Sequence, residues 1–157
     1  MNTLSRRRFL TLTGAGIVAV AAGGIALAVR QFSESANTLT FQAVSGLPAK
    51  PLISYASYVL TGKIDTSNGT GTITKYVYAG PPESMTSISL YTRTVRVTKA
   101  SQQGGVWHIT GVVENQAQLQ KGEDAVLQLQ LDSVRGIAQA SFFGSPIALR
   151  LQHFTAP

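Results

Sequence analysis

The chain of 157 residues has room for one domain behind a leader and is too short for two of ordinary size. Charged residues make up only 13% and hydrophobic ones 44%, which excludes wholesale disorder and describes a polar, weakly charged surface. The net charge of +6 is divided evenly: residues 1–36 carry Arg6, Arg7, Arg8 and Arg30 against Glu34, and residues 37–157 carry nine Lys or Arg against six Asp or Glu, too mild an excess for a nucleic-acid partner.

The chain opens on Ser5-Arg6-Arg7-Arg8-Phe9-Leu10-Thr11, followed by the uncharged run Leu12–Val29 with Gly14, Gly16, Gly23 and Gly24. This segment resembles the twin-arginine signal family, whose pattern is Ser/Thr-Arg-Arg-x-Phe-Leu-Lys; Thr11 departs from the final Lys. The resemblance implies recognition of Arg6, Arg7, Phe9 and Leu10 by the twin-arginine translocase. It also implies export of an already folded domain to the periplasm, the outer face of the cell membrane or the medium. Residues 1–36 are thus expected to be a signal helix. Ala26-Leu27-Ala28 offers an A-x-A cleavage site and Ser33-Glu34-Ser35 a second. Uncleaved, residues 12–29 would stay as a membrane anchor with the arginines on the cytoplasmic side.

Residues 37–157 read as a single all-β domain. Tyr58, Leu60 and Ile64 alternate with Thr61, Lys63 and Asp65; Leu127, Leu129 and Leu131 alternate with Gln128, Gln130 and Asp132. Period two over such lengths marks strands with one buried face. Ser67-Asn68-Gly69, Gln103-Gly104-Gly105 and Arg135-Gly136 punctuate the runs as turns. Gly80-Pro81-Pro82 and Gly144-Ser145-Pro146 stop strands. About eight antiparallel strands result, near 38–44, 53–65, 71–78, 87–99, 106–114, 125–132, 137–143 and 147–154, arranged as a sandwich or a small barrel. Within 87–99 the apolar face switches between Leu90 and Val95, which predicts a bulge or a corner. Asn115–Gly122 has room for one helical turn. Alternation places Arg93 and Lys99 on one face and Arg96 on the other, so these three cations form no stripe.

Candidate chemistry is thin. Without cysteine, no disulfide, thiolate metal site or cysteine nucleophile is possible. The two histidines, His108 and His153, lack ligand spacing. His108 reads as a surface residue beside Thr110 and Glu114, and His153 as in register with Leu149 and Leu151. No metal and no cofactor is therefore expected. Asp65, Glu114 and Asp132 sit at strand ends, where carboxylates cap turns; Glu123-Asp124, just before a strand, reads the same way. Ser145 lies in a turn, and Pro146 removes a backbone N–H that an oxyanion hole would need. Tyr76 and Tyr78 share a strand face with Thr72 and Thr74, and Tyr76, Tyr78 and Thr74 form the best ligand-binding candidate, by stacking on sugar or peptide; core or cross-strand pairing explains the same tyrosines. The expected function is a non-enzymatic binding or envelope-associated module. The alternatives are a barrel enclosing a small apolar ligand, and a small barrel isomerase or hydrolase that uses the strand-end carboxylates.

Overall fold

The computed structural model describes residues 37–45, 56–80 and 88–157. The segment expected to be a leader, with Arg6, Arg7, Phe9, Leu10 and residues 12–29, lies outside them. The strands are β1 (Thr38–Ser45), β2 (Ala56–Asp65), β3 (Thr70–Ala79), β4 (Ile88–Gln103), β5 (Val106–Val113), β6 (Val126–Asp132), β7 (Ile137–Ser141) and β8 (Pro146–Thr155). Each pairs antiparallel with the next, and β8 returns to β1, closing an eight-stranded up-and-down barrel. Closure leaves no unpaired sheet edge, so barrel rather than sandwich is the answer. The only helix among the described residues is a 3-10 turn, Gln116–Gln118, after β5. None there is long and apolar enough to cross a membrane.

The alternation seen in the sequence becomes an inside and an outside. Leu39 and Phe41 of β1, Leu60 and Ile64 of β2, Val95 and Val97 of β4, Trp107 and Ile109 of β5 and Leu127, Leu129 and Leu131 of β6 all point inward and are buried. Each aliphatic side chain removed from water contributes about 1.5–3 kcal/mol. Small residues make room for large ones: Ala43, Ala138 and Ala140 share the lumen with Phe41 and Trp107. At Gln103-Gly104-Gly105-Val106 the hairpin closes in two residues with φ of 59° and 83° at the glycines, the positive pair that a tight turn between right-twisted strands requires.

Three bulges bend the wall. Val77 pairs with Tyr91 but Tyr78 with Ser89, leaving Leu90 as the inserted residue. This accounts for the parity change in β4: the insertion brings Ile88, opposite Ala79, back to the face of Val77, while Ile88 (67%) and Leu90 (53%) stay exposed at the strand end. Thr98 is inserted where Val97 pairs with Gly111 and Lys99 with Thr110. Lys99 therefore joins Arg96 on the exposed side, while Arg93 points into the barrel. The expected grouping of Arg93 with Lys99 fails because strict alternation does not survive an inserted residue. Gln152 is inserted in β8, between Leu151 opposite Ala43 and His153 opposite Gln42, so His153 is exposed and Phe154 packs on the core in its place.

Candidate functional site: a charged cluster inside the barrel mouth

The two ends of the barrel differ. At one, the tight turns 66–69, 104–105 and 133–136 close over uncharged apolar filling that includes Trp107. The other, where β1, β3, β5 and β7 finish, is filled by ions and rings. β3 carries Lys75 between Ile73 and Val77 on its inward face, and β4 carries Arg93 between Tyr91 and Val95. Lys75 and Arg93 are register partners. Two like charges directly opposed on one buried face are destabilising on their own, so the lumen must supply an anion.

Glu123 is that anion. It comes from the β5–β6 connection, residues 114–125, which bends into the mouth. One carboxylate oxygen accepts from Lys75 Nζ; the other accepts from Arg93 Nη2 at 3.3 Å and from the Gln120 backbone N–H at 3.0 Å. Relative exposures of the side chains are 4% for Lys75, 6% for Arg93 and 0% for Glu123. The connection is fastened on both flanks. Glu114 N donates to Thr94 O at 3.0 Å, Arg93 Nη2 to Gln118 O at 2.6 Å and Asp124 N to Phe142 O at 2.8 Å. The Asp124 carboxylate accepts from Ser141 Oγ and Gly144 N, each at 2.8 Å.

Aromatic rings complete the cluster. Tyr58 stacks on Phe142 with centroids 4.6 Å apart and planes 28° apart. Lys75 Nζ lies 4.9 Å from the Phe142 centroid and 5.7 Å from that of Tyr91, and Arg93 Cζ lies 4.2 Å from the Tyr91 centroid. Ring faces attract cations, which partly replaces the water that Lys75 and Arg93 have lost.

The ionisation states follow from these contacts. Burial pulls the Lys75 ammonium below its ordinary range, with Glu123 pulling the other way. Burial also opposes the Glu123 carboxylate, but the Gln120 N–H, Lys75 and Arg93 outweigh it and leave the group below the usual carboxylate range. Burial, then the Glu123 charge, pushes Tyr91 up to about 12 and raises Tyr58 in the same direction. At neutral pH the mouth thus holds a carboxylate, a guanidinium and neutral phenols. Glu123 and Tyr91 are both moved away from neutrality, and Lys75 towards it. Arg93 Nε is buried with no hydrogen-bond partner.

The residues singled out by sequence fall elsewhere. Tyr76, Tyr78 and Thr74 do share one face of β3, but it is the outer one, opposite Lys75. Their rings stack at 6.5 Å and 20°, with Val59 and Thr92 as the flanking partners of Tyr76. Asp65 holds the β2–β3 turn through Ser67 and Asn68, and Asp132 holds the β6–β7 turn through Arg135. Glu114 is exposed near the other end. Asp65 and Asp132 therefore do not converge with Glu114, and among the described residues no cluster of three potential metal ligands occurs. Asp124 caps a turn as expected. Glu123 does not: it is the buried centre of the cluster, a correction to its reading as a solvated strand-end carboxylate. Sequence reading misses Lys75 and Arg93 as site residues, although each carries a signal, a charge on an apolar parity, Ile73-Lys75-Val77 and Tyr91-Arg93-Val95. No family model, no curated protein and no solved structure matches the chain.

Proposed function

We propose that this chain is a non-enzymatic binding barrel that acts outside the cytoplasm and takes a small molecule at the end occupied by Lys75, Arg93 and Glu123. One observation carries the reading. Two opposed cations and a carboxylate are held among three rings inside a closed barrel whose other half is filled by apolar side chains. Buried ion pairs add little stability relative to well-packed apolar side chains of the same volume, so a lumen filled for stability alone has no need of them. A specific recognition site does, because a few placed polar groups in an apolar enclosure fix a ligand's identity and orientation. The twin-arginine-like leader supports delivery by the twin-arginine translocase in folded form, with residues 12–29 as a membrane anchor if the leader stays on.

Native mass spectrometry of the protein purified from its host, without denaturation or refolding, tests this reading. A reproducible adduct in the wild type that is lost in Lys75→Met supports it. An adduct-free spectrum, together with no response to a small-molecule library in thermal denaturation, overturns it.

A second reading rests on the stacked Tyr76–Tyr78 pair on the outer face, beside Thr74, which suits stacking on a sugar ring or a peptide. Tyr78→Ala would abolish such binding and leave the mouth unaltered.

A further inference from the structure

We propose that the mouth takes a planar organic carboxylate whose anionic group exchanges with Glu123 on Arg93 and Lys75. This rests on the binding-barrel reading above and adds the ligand class. Three observations lead to it. First, two cations face one carboxylate. The other nearby anion, Asp124, is held by Ser141 Oγ and Gly144 N.

Second, the fork of Arg93 is half used. A guanidinium presents parallel donors to both oxygens of one carboxylate. Here Nη1 donates to Thr92 O at 3.3 Å and Nη2 to Gln118 O at 2.6 Å and to Glu123 at 3.3 Å, while Nε donates to nothing although the side chain is 6% exposed. A buried donor without a partner is costly, and a second oxyanion approaching along the Nε–Nη2 edge would satisfy it. Third, the walls are flat. Phe142 and Tyr91 lie against the cations and Tyr58 stacks on Phe142, so a planar body entering with the carboxylate meets ring surfaces in place of the side chain it displaces.

Glu123 occupies this position as a built-in substitute. It belongs to a connection and not to a strand, and residues 114–118 of that connection are exposed. Withdrawing it breaks no barrel ladder. The incoming carboxylate restores what Glu123 gave to Lys75 and Arg93, and gains Nε as well.

Benzoate is the probe, with benzyl alcohol as the neutral control and binding read by calorimetry and thermal denaturation. Glu123→Gln removes the competing charge and keeps the side-chain shape. Benzoate is expected to bind this variant about tenfold more tightly than wild type, the scale of one charge-assisted hydrogen bond. Benzyl alcohol should show no such difference, and Arg93→Lys, which keeps the charge and loses the fork, should lose the benzoate response. Equal benzoate affinity in wild type and Glu123→Gln, or benzoate binding that survives Arg93→Lys, overturns the proposal. Should Glu123→Gln not fold, the comparison of wild type with Arg93→Lys decides alone. A neutral compound found on the native protein would overturn the carboxylate assignment and leave the binding barrel standing; no adduct and no response to any probe would remove both.

Discussion

The ring of Phe41 on β1 occupies the space that a Cβ would need on Gly62, its register partner on β2. Gly62 lies on the inward face between Leu60 and Ile64, where a side chain is otherwise the rule. The missing side chain lets a large ring lie flat against the neighbouring backbone, so Phe41 and Gly62 are one packing unit spread over two strands. Gly62→Ala is expected to destabilise the barrel by about 1–3 kcal/mol through overpacking, and Phe41→Ala by about 3–5 kcal/mol through the void left behind. The double variant should lose less than the sum, because the added methyl enters the vacated space. Urea unfolding of the four proteins gives the coupling directly, and strictly additive losses would show that the two residues act independently.

The same pair shows what the sequence could and could not disclose. Strand existence was legible because Leu127, Leu129 and Leu131 alternate with Gln128 and Gln130 regardless of their neighbours. Barrel closure was not, because it depends on β8 meeting β1 across the whole chain. The bulge at Leu90 showed itself as a change of apolar parity. Those at Thr98 and Gln152 insert a polar residue that is followed by another, Lys99 and His153, left no such trace, and turned Lys99 and His153 to the side opposite the one expected. The site was missed, although half of it carried a signal. Lys75 and Arg93 stand on apolar parities, but Glu123 lies 48 and 30 residues away from them, in an aperiodic connection where nothing local tells an inward carboxylate from a solvated one. The Tyr76–Tyr78 stack was readable because both members lie on one strand, two residues apart.

Glu123 should be the most sensitive single position in the mouth. Glu123→Leu leaves Lys75 and Arg93 opposed and buried without their anion, and breaking a buried ion pair from one side costs about 3–5 kcal/mol. Replacing Lys75 by Met in the same chain removes one of the stranded cations. The double variant Lys75→Met, Glu123→Leu is therefore expected to be more stable than Glu123→Leu alone, with Arg93 still donating to Gln118 O. Denaturant midpoints at constant slope measure the order. A double variant less stable than the single one would mean that Lys75 is held by its packing on the rings and not by the charge of Glu123.

Acid should loosen the mouth first. The Glu123 carboxyl lies below its ordinary value of 4.5 when folded, so between the folded and ordinary values the unfolded chain binds more protons and stability rises with pH. The stabilising contribution is complete above about 4.5 and is lost as pH falls through the folded value. Burial opposes the low folded value, and the Gln120 backbone N–H, Lys75 from β3 and Arg93 from β4 outweigh it. At the alkaline end the sign reverses for Tyr91, whose value is raised from 10.0 to about 12; its contribution is present below 10.0 and disappears as pH rises through about 12. Asp65, held low by Ser67 at the far end of the barrel, adds acid dependence of the same sign. Glu123→Gln should therefore flatten the acid limb of a stability-against-pH curve without abolishing it. An unchanged acid limb in that variant would assign acid lability to groups other than Glu123, Asp65 first among them.

The proposed export signal makes a prediction of its own. Arg6 and Arg7 precede Phe9 and Leu10, and the run behind them is rich in glycine and alanine and has no charge before Arg30. A translocase that reads the arginine pair by its planar, always charged forks will not accept lysine equally, since an ammonium keeps the charge and loses the bidentate geometry. Arg6→Lys with Arg7→Lys is expected to leave the chain folded in the cytoplasm, whereas Arg30→Lys, outside the pair, should export normally. Cell fractionation with an antibody against the barrel distinguishes the two. The β topology would give such a route a physical advantage. Closing a barrel through the β1–β8 pairing is a non-local step, and such steps are slow and expose unpaired edges to aggregation. A chain that completes this step before crossing the membrane arrives with those edges already paired. Export of the doubly substituted leader at the wild-type level, with the barrel shown to be folded beforehand, would separate the route from the arginine pair.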